Sequence, residues 1–339
     1  MNLLPDPDPL HQEPSPASAW SEAHPPAPFP EEEGAAPEPP ESAFQASNPR
    51  DGSDTQPLLF QSFLQLEPLS APRIPHMGHL CLLLALAFAG AVTASLLTRA
   101  ALYFHLFGVS TIKQAITDIH YTLGGMAVLY LVTFGAAYFV FPALWHKGFF
   151  GGVQLRIHTA LHLRRRLFGA AVLCFLLALA NGMLMPGPKD TPIDQIFRSP
   201  GAAWLMFFFG ISMAPFFEEM IFRGFLLPAL CTSWDWAAER LTGGYSLGAD
   251  ENGHPEWSTK AMVFGSIFTS IPFALMHADQ TGRAVGPLLL LMLVSLALCW
   301  IRLITRSLAA SMLMHASYNF LLFSMMLIGT GGFRHLSHM

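Results

Sequence analysis

The sequence predicts an all-α membrane protein, a polytopic bundle of about seven transmembrane helices behind a disordered N-terminal tail. Three observations carry this expectation. The 339-residue chain is 52% hydrophobic but only 12% charged, against about 25% charged in ordinary soluble domains. Long apolar runs recur after His76, and a span needs about 20 mainly apolar residues to cross hydrocarbon. Finally, the net charge of −5 is unevenly distributed. Residues 1–76 hold 12 acids against Arg50 and Arg73, a net of −10, and the remaining residues sum to +5. Scarce charge and no basic surface exclude a free soluble enzyme and a nucleic-acid partner.

Residues 1–76 contain 17 of the 27 prolines. Acidic, Pro/Ala/Ser-rich sequence buries too little apolar surface to offset its ordering entropy, so a disordered tail is expected. Met1 to Leu10 shows no basic region followed by an apolar run, which argues against a cleaved signal peptide. Within the tail, Leu58, Leu59, Phe60, Phe63, Leu64 and Leu66 have amphipathic helical spacing. The segment 58–66 is read as a sticky spot, with docking to a partner or the membrane surface as the functional alternative.

The spans expected after the tail are Leu80–Leu97, Tyr121–Trp145, Leu167–Met185, Ala202–Leu230, Met262–Met276, Pro287–Ile304 and Leu308–Ile328. Pro215 should kink the fourth, dividing it into two helical pieces. The chain thus divides into a tail, 1–76, a transmembrane domain, 77–330, and a short C-terminal tail, 331–339. Lys147, Arg156, Arg164, Arg165 and Arg166 make residues 147–166 the most basic loop, expected on the cytoplasmic side. Counting spans from it puts the N-terminal tail in the cytoplasm. It also places Arg240, Lys260, Arg302 and Arg306 in inside loops, 11 basic residues inside against six outside. His158 and His162 in this segment suit an interfacial helix better than a metal site, since no third ligand is near. Cys81, Cys174, Cys231 and Cys299 form no CxxC pair and read as small core residues.

Charges inside a bilayer are costly, so those within spans are functional candidates. Pro215-Phe-Phe-Glu218-Glu219-Met-Ile-Phe-Arg223-Gly224 sets two carboxylates and a guanidinium in apolar sequence. Glu219 and Arg223, at i and i+4, share a helix face and can pair. Glu218 points about 100° away from Glu219, has no sequence-local cation and suits a general base or acid. Two later spans add Phe273-Ala-Leu-Met-His277 and His315-Ala-Ser-Tyr-Asn319. Two histidines, an amide and paired carboxylates can activate water and hold an oxyanion, the equipment for peptide hydrolysis without a covalent intermediate.

These three elements resemble the EExxxR, FxxxH and HxxxN motifs of the CAAX-protease and bacteriocin-processing family, the ABI or Rce1-like glutamic intramembrane proteases. Their order along the chain agrees, and the resemblance covers residues 201–328. It implies an intramembrane endopeptidase of a bacterial inner membrane, acting on a membrane protein or peptide and needing no cofactor. Glu218 and His277 would hold and polarise the attacking water. Glu219 and Arg223 would orient the site, and His315 with Asn319 would form the oxyanion hole. Phe273 reads as packing. The segment 232–260 is long and polar for this family. A zinc site of His₂Glu type from His277, His315 and a glutamate is the metal-dependent alternative, against which the lack of HExxH counts. A non-catalytic scaffold or regulator using the same pocket is the second, and a transporter lacks the paired, interrupted repeats it needs. One tension attends this reading. Simple span boundaries put Glu218 and His277 more than about 10 Å apart in depth.

Overall fold

Helices in hydrocarbon satisfy their own backbone groups, and the chain uses little else. The computed structural model describes residues 74–185, 200–243 and 256–333, with no strand among them. Residues 1–73 of the expected tail, with the 58–66 segment, lie outside the described residues, as do 334–339. The helices are α1 (Met77–Tyr103), α2 (Ile112–Thr117), α3 (Ile119–Trp145), α4 (Phe149–Gly152), α5 (Ile157–Leu184), α6 (Pro200–Ile211) and α7 (Met213–Glu219). A π-helical segment, Met220–Leu226, leads into α8 (Leu227–Thr242), and α9 (Thr259–Met276), α10 (Val285–Thr305) and α11 (Leu308–Gly329) follow. Among the described residues, seven helical stretches are long and apolar enough to span a membrane, matching the expected seven in place and order. The chain is a multi-pass integral membrane protein.

Local sequence explains the helix starts. The Asp118 carboxylate accepts from the His120 and Tyr121 N–H groups and opens α3. Ser258 and Ser307 do the same for α9 and α11, accepting from Ala261 and Ala310. Each satisfies a backbone donor that a helix start otherwise leaves unpaired. The outer faces stay apolar: Phe88 of α1, Phe139 of α3, Leu173 of α5 and Trp300 of α10 are well exposed. That much outward hydrophobic surface belongs against lipid.

The structure corrects two expectations in the basic segment. No separate interfacial helix forms there. His158 and His162 lie on the first two turns of α5, exposed, and Arg164, Arg165 and Arg166 follow on the same helix rather than in a loop. Ile74 packs into the main core cluster, and Phe333 is buried against Trp204 and Phe207.

Helices pair through small residues, as expected where lipid is as apolar as leucine. α1 lies along α3, α5 along α11, and α9 between α8 and α10. At the α1–α3 crossing, a Cβ on Gly90 would meet Thr133 Oγ1 at 2.8 Å and the Leu129 carbonyl oxygen at 2.9 Å. Backbone atoms cannot step aside, so the helices must part to admit a side chain. Gly90→Leu is expected to destabilise the bundle by about 1–3 kcal/mol through overpacking, seen as a lowered Tm of the purified protein in detergent.

Candidate active site

The element carrying the first motif is not a simple span. Gly201–Thr242 runs 42 residues, about 63 Å if straight, twice the hydrocarbon thickness. It breaks at Ser212 (φ −126°, ψ −76°), between α6 and α7. Pro215 explains the break: its ring clashes with a carbonyl four residues back, so it is accommodated only in the first turn of a new helix. The expected two pieces are present, and the helix continues 12 residues beyond the expected end at Leu230. Much of the polar segment 232–260 is therefore the end of α8. Its Asp235 carboxylate accepts from the Ser258 N–H at 2.9 Å and the Ser258 hydroxyl at 2.6 Å, clamping the start of α9.

At Met220–Leu226 the chain adopts π geometry, the Leu227 N–H reaching back to the Phe222 carbonyl. Such turns recur at functional sites. Glu218 and Glu219 end the preceding helix and face different neighbours. Glu219 Oε1 accepts from Arg223 Nη1 at 2.8 Å and His315 Nδ1 at 2.9 Å. Arg223 Nη2 donates to the Ser295 hydroxyl at 2.7 Å and the Ser295 carbonyl at 3.0 Å. Both charged residues are 0% exposed. The guanidinium also stacks over Phe273, 4.6 Å from the ring centroid, a cation–π contact. The expected Glu219–Arg223 pair is thus present. The FxxxH phenylalanine is a packing residue set among Arg223, His277 and His315.

Glu218 faces the other way, towards two imidazoles. Its Oε2 lies 3.9 Å from His277 Nε2 and 3.9 Å from His315 Nε2. Both gaps exceed a direct hydrogen bond and suit a bridging water. The tautomers follow from the other ring nitrogens. His277 Nδ1 is 2.8 Å from the Phe273 carbonyl, which can only accept, and His315 Nδ1 faces Glu219. In the neutral rings each Nδ1 holds the hydrogen, and each Nε2 turns a lone pair towards Glu218.

The depth of His277 has a plain cause. Ser270 Oγ of α9 lies 4.0 Å from Cys299 Sγ of the adjacent α10. From that level α10 runs 14 residues to Val285, whereas α9 runs only seven to His277. α9 therefore stops about 10 Å short of its neighbour, which brings His277 level with Glu218. Asn319 sits one turn beyond His315. Its Nδ2 donates to the Gly210 carbonyl at 2.8 Å, at the end of α6, leaving one amide hydrogen uncommitted. All six expected residues lie in this neighbourhood, five in direct mutual contact and Asn319 at its edge. Among the described residues, no group of three or more His, Cys, Asp or Glu side chains is arranged to hold a metal ion.

Two supporting residues escape the sequence reading. Ser295 is an ordinary serine in an apolar run. Arg302, expected in an inside loop, is instead 2% exposed within α10. Its Nε donates to the Arg223 carbonyl at 3.3 Å and its Nη2 to the Val153 carbonyl at 3.4 Å. Its place inside an apolar run was the available signal. Without it, the inside count falls from 11 to 10.

Residues 200–321 match the family model described as type II CAAX prenyl endopeptidase Rce1-like. Neither the curated proteins nor the solved structures yield a match. The matched region holds all three motifs, and in general terms supports a CAAX-type protease acting within a lipid environment on membrane-embedded protein or peptide substrates.

Removing one member of a buried ion pair leaves the other uncompensated, at about 3–5 kcal/mol. Arg223→Met is expected to lower stability by that amount in denaturant unfolding of the detergent-solubilised protein. The double variant Arg223→Met/Glu219→Leu should recover most of the loss, because no unpaired carboxylate remains.

Proposed function

We propose that this Rce1-like chain is a glutamic-type intramembrane endopeptidase, with Glu218 the base that activates the attacking water. The observation that carries the reading is the convergence of two imidazole Nε2 atoms on one oxygen of Glu218, each at 3.9 Å. A water there donates one hydrogen to the carboxylate and the other to an imidazole lone pair. Its own lone pair then faces the peptide carbonyl.

The steps balance on these groups. The water oxygen bonds to the carbonyl carbon, and Glu218 takes a proton from it. The carbonyl oxygen becomes an oxyanion, which needs donors. Asn319 supplies its uncommitted amide hydrogen. His315 supplies Nε2–H when it enters the cycle as the imidazolium, carrying a proton taken from solvent and kept through both steps while the water donates to His277; its two nitrogens then face Glu218 and Glu219. Collapse breaks the C–N bond, and the proton on Glu218 passes to the leaving nitrogen. Glu219 and Arg223 touch no reacting atom in this scheme. They position His315 and the π segment, and no metal or cofactor takes part. The substrate is a membrane-associated protein or peptide. The basic residues at one end of the bundle support a cytoplasmic N-terminus, in a bacterial inner membrane under the family resemblance.

Glu218→Gln keeps the shape of the side chain but cannot accept the proton. It should abolish processing, by at least about 10²–10⁴-fold, the range for a lost general base, while leaving expression and Tm near wild type. Comparing membrane-protein termini between a deletion strain and one carrying Glu218→Gln reads this directly. Wild-type processing by the variant would sink the base assignment, and an intact cellular phenotype in its hands would favour the scaffold reading. Cleavage should also survive strong chelation, and its loss in chelator with recovery on adding zinc would favour the His₂Glu alternative instead.

A further inference from the structure

None of the groups used in the proposed hydrolysis comes from α3, although that helix packs directly beside the segment carrying Glu218. Tyr130 and Phe134, one turn apart on α3, both stack on Phe217, at 4.6 and 5.2 Å between ring centroids. Tyr130 also stacks on Phe209 of α6, at 6.4 Å and 16° between ring planes. Phe217 immediately precedes Glu218. Phe209 immediately precedes Gly210, whose carbonyl holds the Asn319 amide. Tyr130 therefore touches the chain neighbours of both the proposed base and the carbonyl that positions the amide donor. It lies outside the residues matched by the family model, which begin at 200.

Packing accounts for its ring but not for its hydroxyl. Phe134, Phe141 and Phe225 fill the same core cluster with rings alone. A hydroxyl added to such a cluster is costly unless it finds a hydrogen-bond partner. Tyr121, on the same helix, has one in the Leu106 carbonyl at 3.1 Å. No described residue accepts from Tyr130, which keeps 8% of its surface exposed. The charged group whose field reaches it is Glu218. The hydroxyl is thus an uncommitted donor within electrostatic reach of the carboxylate that would meet the attacking water.

We propose that Tyr130 is a further catalytic residue, its hydroxyl donating alongside the Asn319 amide to the oxyanion. This role rests on the hydrolysis proposed for Glu218. A phenol donates while neutral, so it serves whatever the protonation of His315. Fixed donors of this kind act on charge as it develops. The hydroxyl keeps its hydrogen when the carbonyl re-forms, so the proton balance of the steps is unchanged.

Tyr130→Phe keeps the ring and both stacking contacts and deletes only the hydroxyl. The assay uses the purified full-length protein and a quenched fluorescent peptide spanning a cleavage site that the comparison of membrane-protein termini identifies. The variant should keep its Tm, hold KM within about twofold and lose about 10²-fold in kcat, the effect of removing one oxyanion donor. Tyr138→Phe, at an exposed position on the same helix, should cleave as wild type does. A second measurement needs no substrate. 3-Fluorotyrosine placed at position 130 should change its fluorine NMR shift when Glu218→Gln is introduced. A wild-type kcat in Tyr130→Phe, or an equal loss in Tyr138→Phe, would overturn this role and leave the Glu218 reading intact. So would an unmoved fluorine resonance, because the hydroxyl would then lie away from the carboxylate. Failure of the wild-type protein to change any membrane-protein terminus would overturn the hydrolytic reading, and this role with it.

Discussion

An arginine with no access to water must find its counter-charge inside the protein, and Arg223 finds it one turn back in Glu219. The rest of the site is organised around that pair. The same Glu219 oxygen that accepts from Arg223 also accepts from His315, which brings α11 to the π segment. The other side of the guanidinium reaches Ser295, which brings α10, and its flat face receives Phe273 of α9. One ion pair thus connects the three helical elements that carry the motifs, and ties α10 to them. Glu219 Oε2 and Arg223 Nε are buried without a hydrogen-bond partner among the described residues, so the pair does more to fix which helices meet than to stabilise them.

The π turn adds a geometric constraint. Adjacent carboxylates on a helix would repel if both faced one small cavity. Here the first faces two imidazoles and the second faces a guanidinium. Arg302 supports the wide turn from behind by donating to the Arg223 carbonyl. The result is two glutamates in consecutive positions with separate surroundings. Environment decides the role of each carboxylate more than its place in the sequence does.

The sequence reveals the parts of this arrangement that depend on composition and short-range spacing. Seven apolar runs mark the spans, because length and hydropathy settle a crossing. The i, i+4 rule pairs Glu219 with Arg223 correctly. What it conceals depends on how helices stand against one another. The level of His277 follows from the Ser270–Cys299 contact, which no local pattern encodes. Ser295 is indistinguishable from any span serine until Arg223 is seen against it. Arg302 was assigned to water by loop counting, although an apolar stretch surrounds it, because a helix end and a loop look alike in sequence. The basic segment was misread as interfacial for the same reason: α5 begins ten residues before its apolar run.

The early end of α9 has a consequence for the bilayer itself. Beyond His277 the chain climbs to α10 through Asp279, Gln280, Thr281 and Arg283, and the Asp279–Arg283 pair is about 80% exposed. These groups begin about 10 Å below the rim set by α10, at a level where hydrocarbon would otherwise lie. Charged side chains do not face acyl chains at that depth without drawing water or thinning the leaflet. In a bilayer the bundle would therefore carry a wet notch on one side. The proposed hydrolysis would need a steady supply of water while the other helices kept ions from leaking across. A notch descending only part of the way would meet both demands, delivering solvent to the level of Glu218 and His277 with the membrane sealed beneath it.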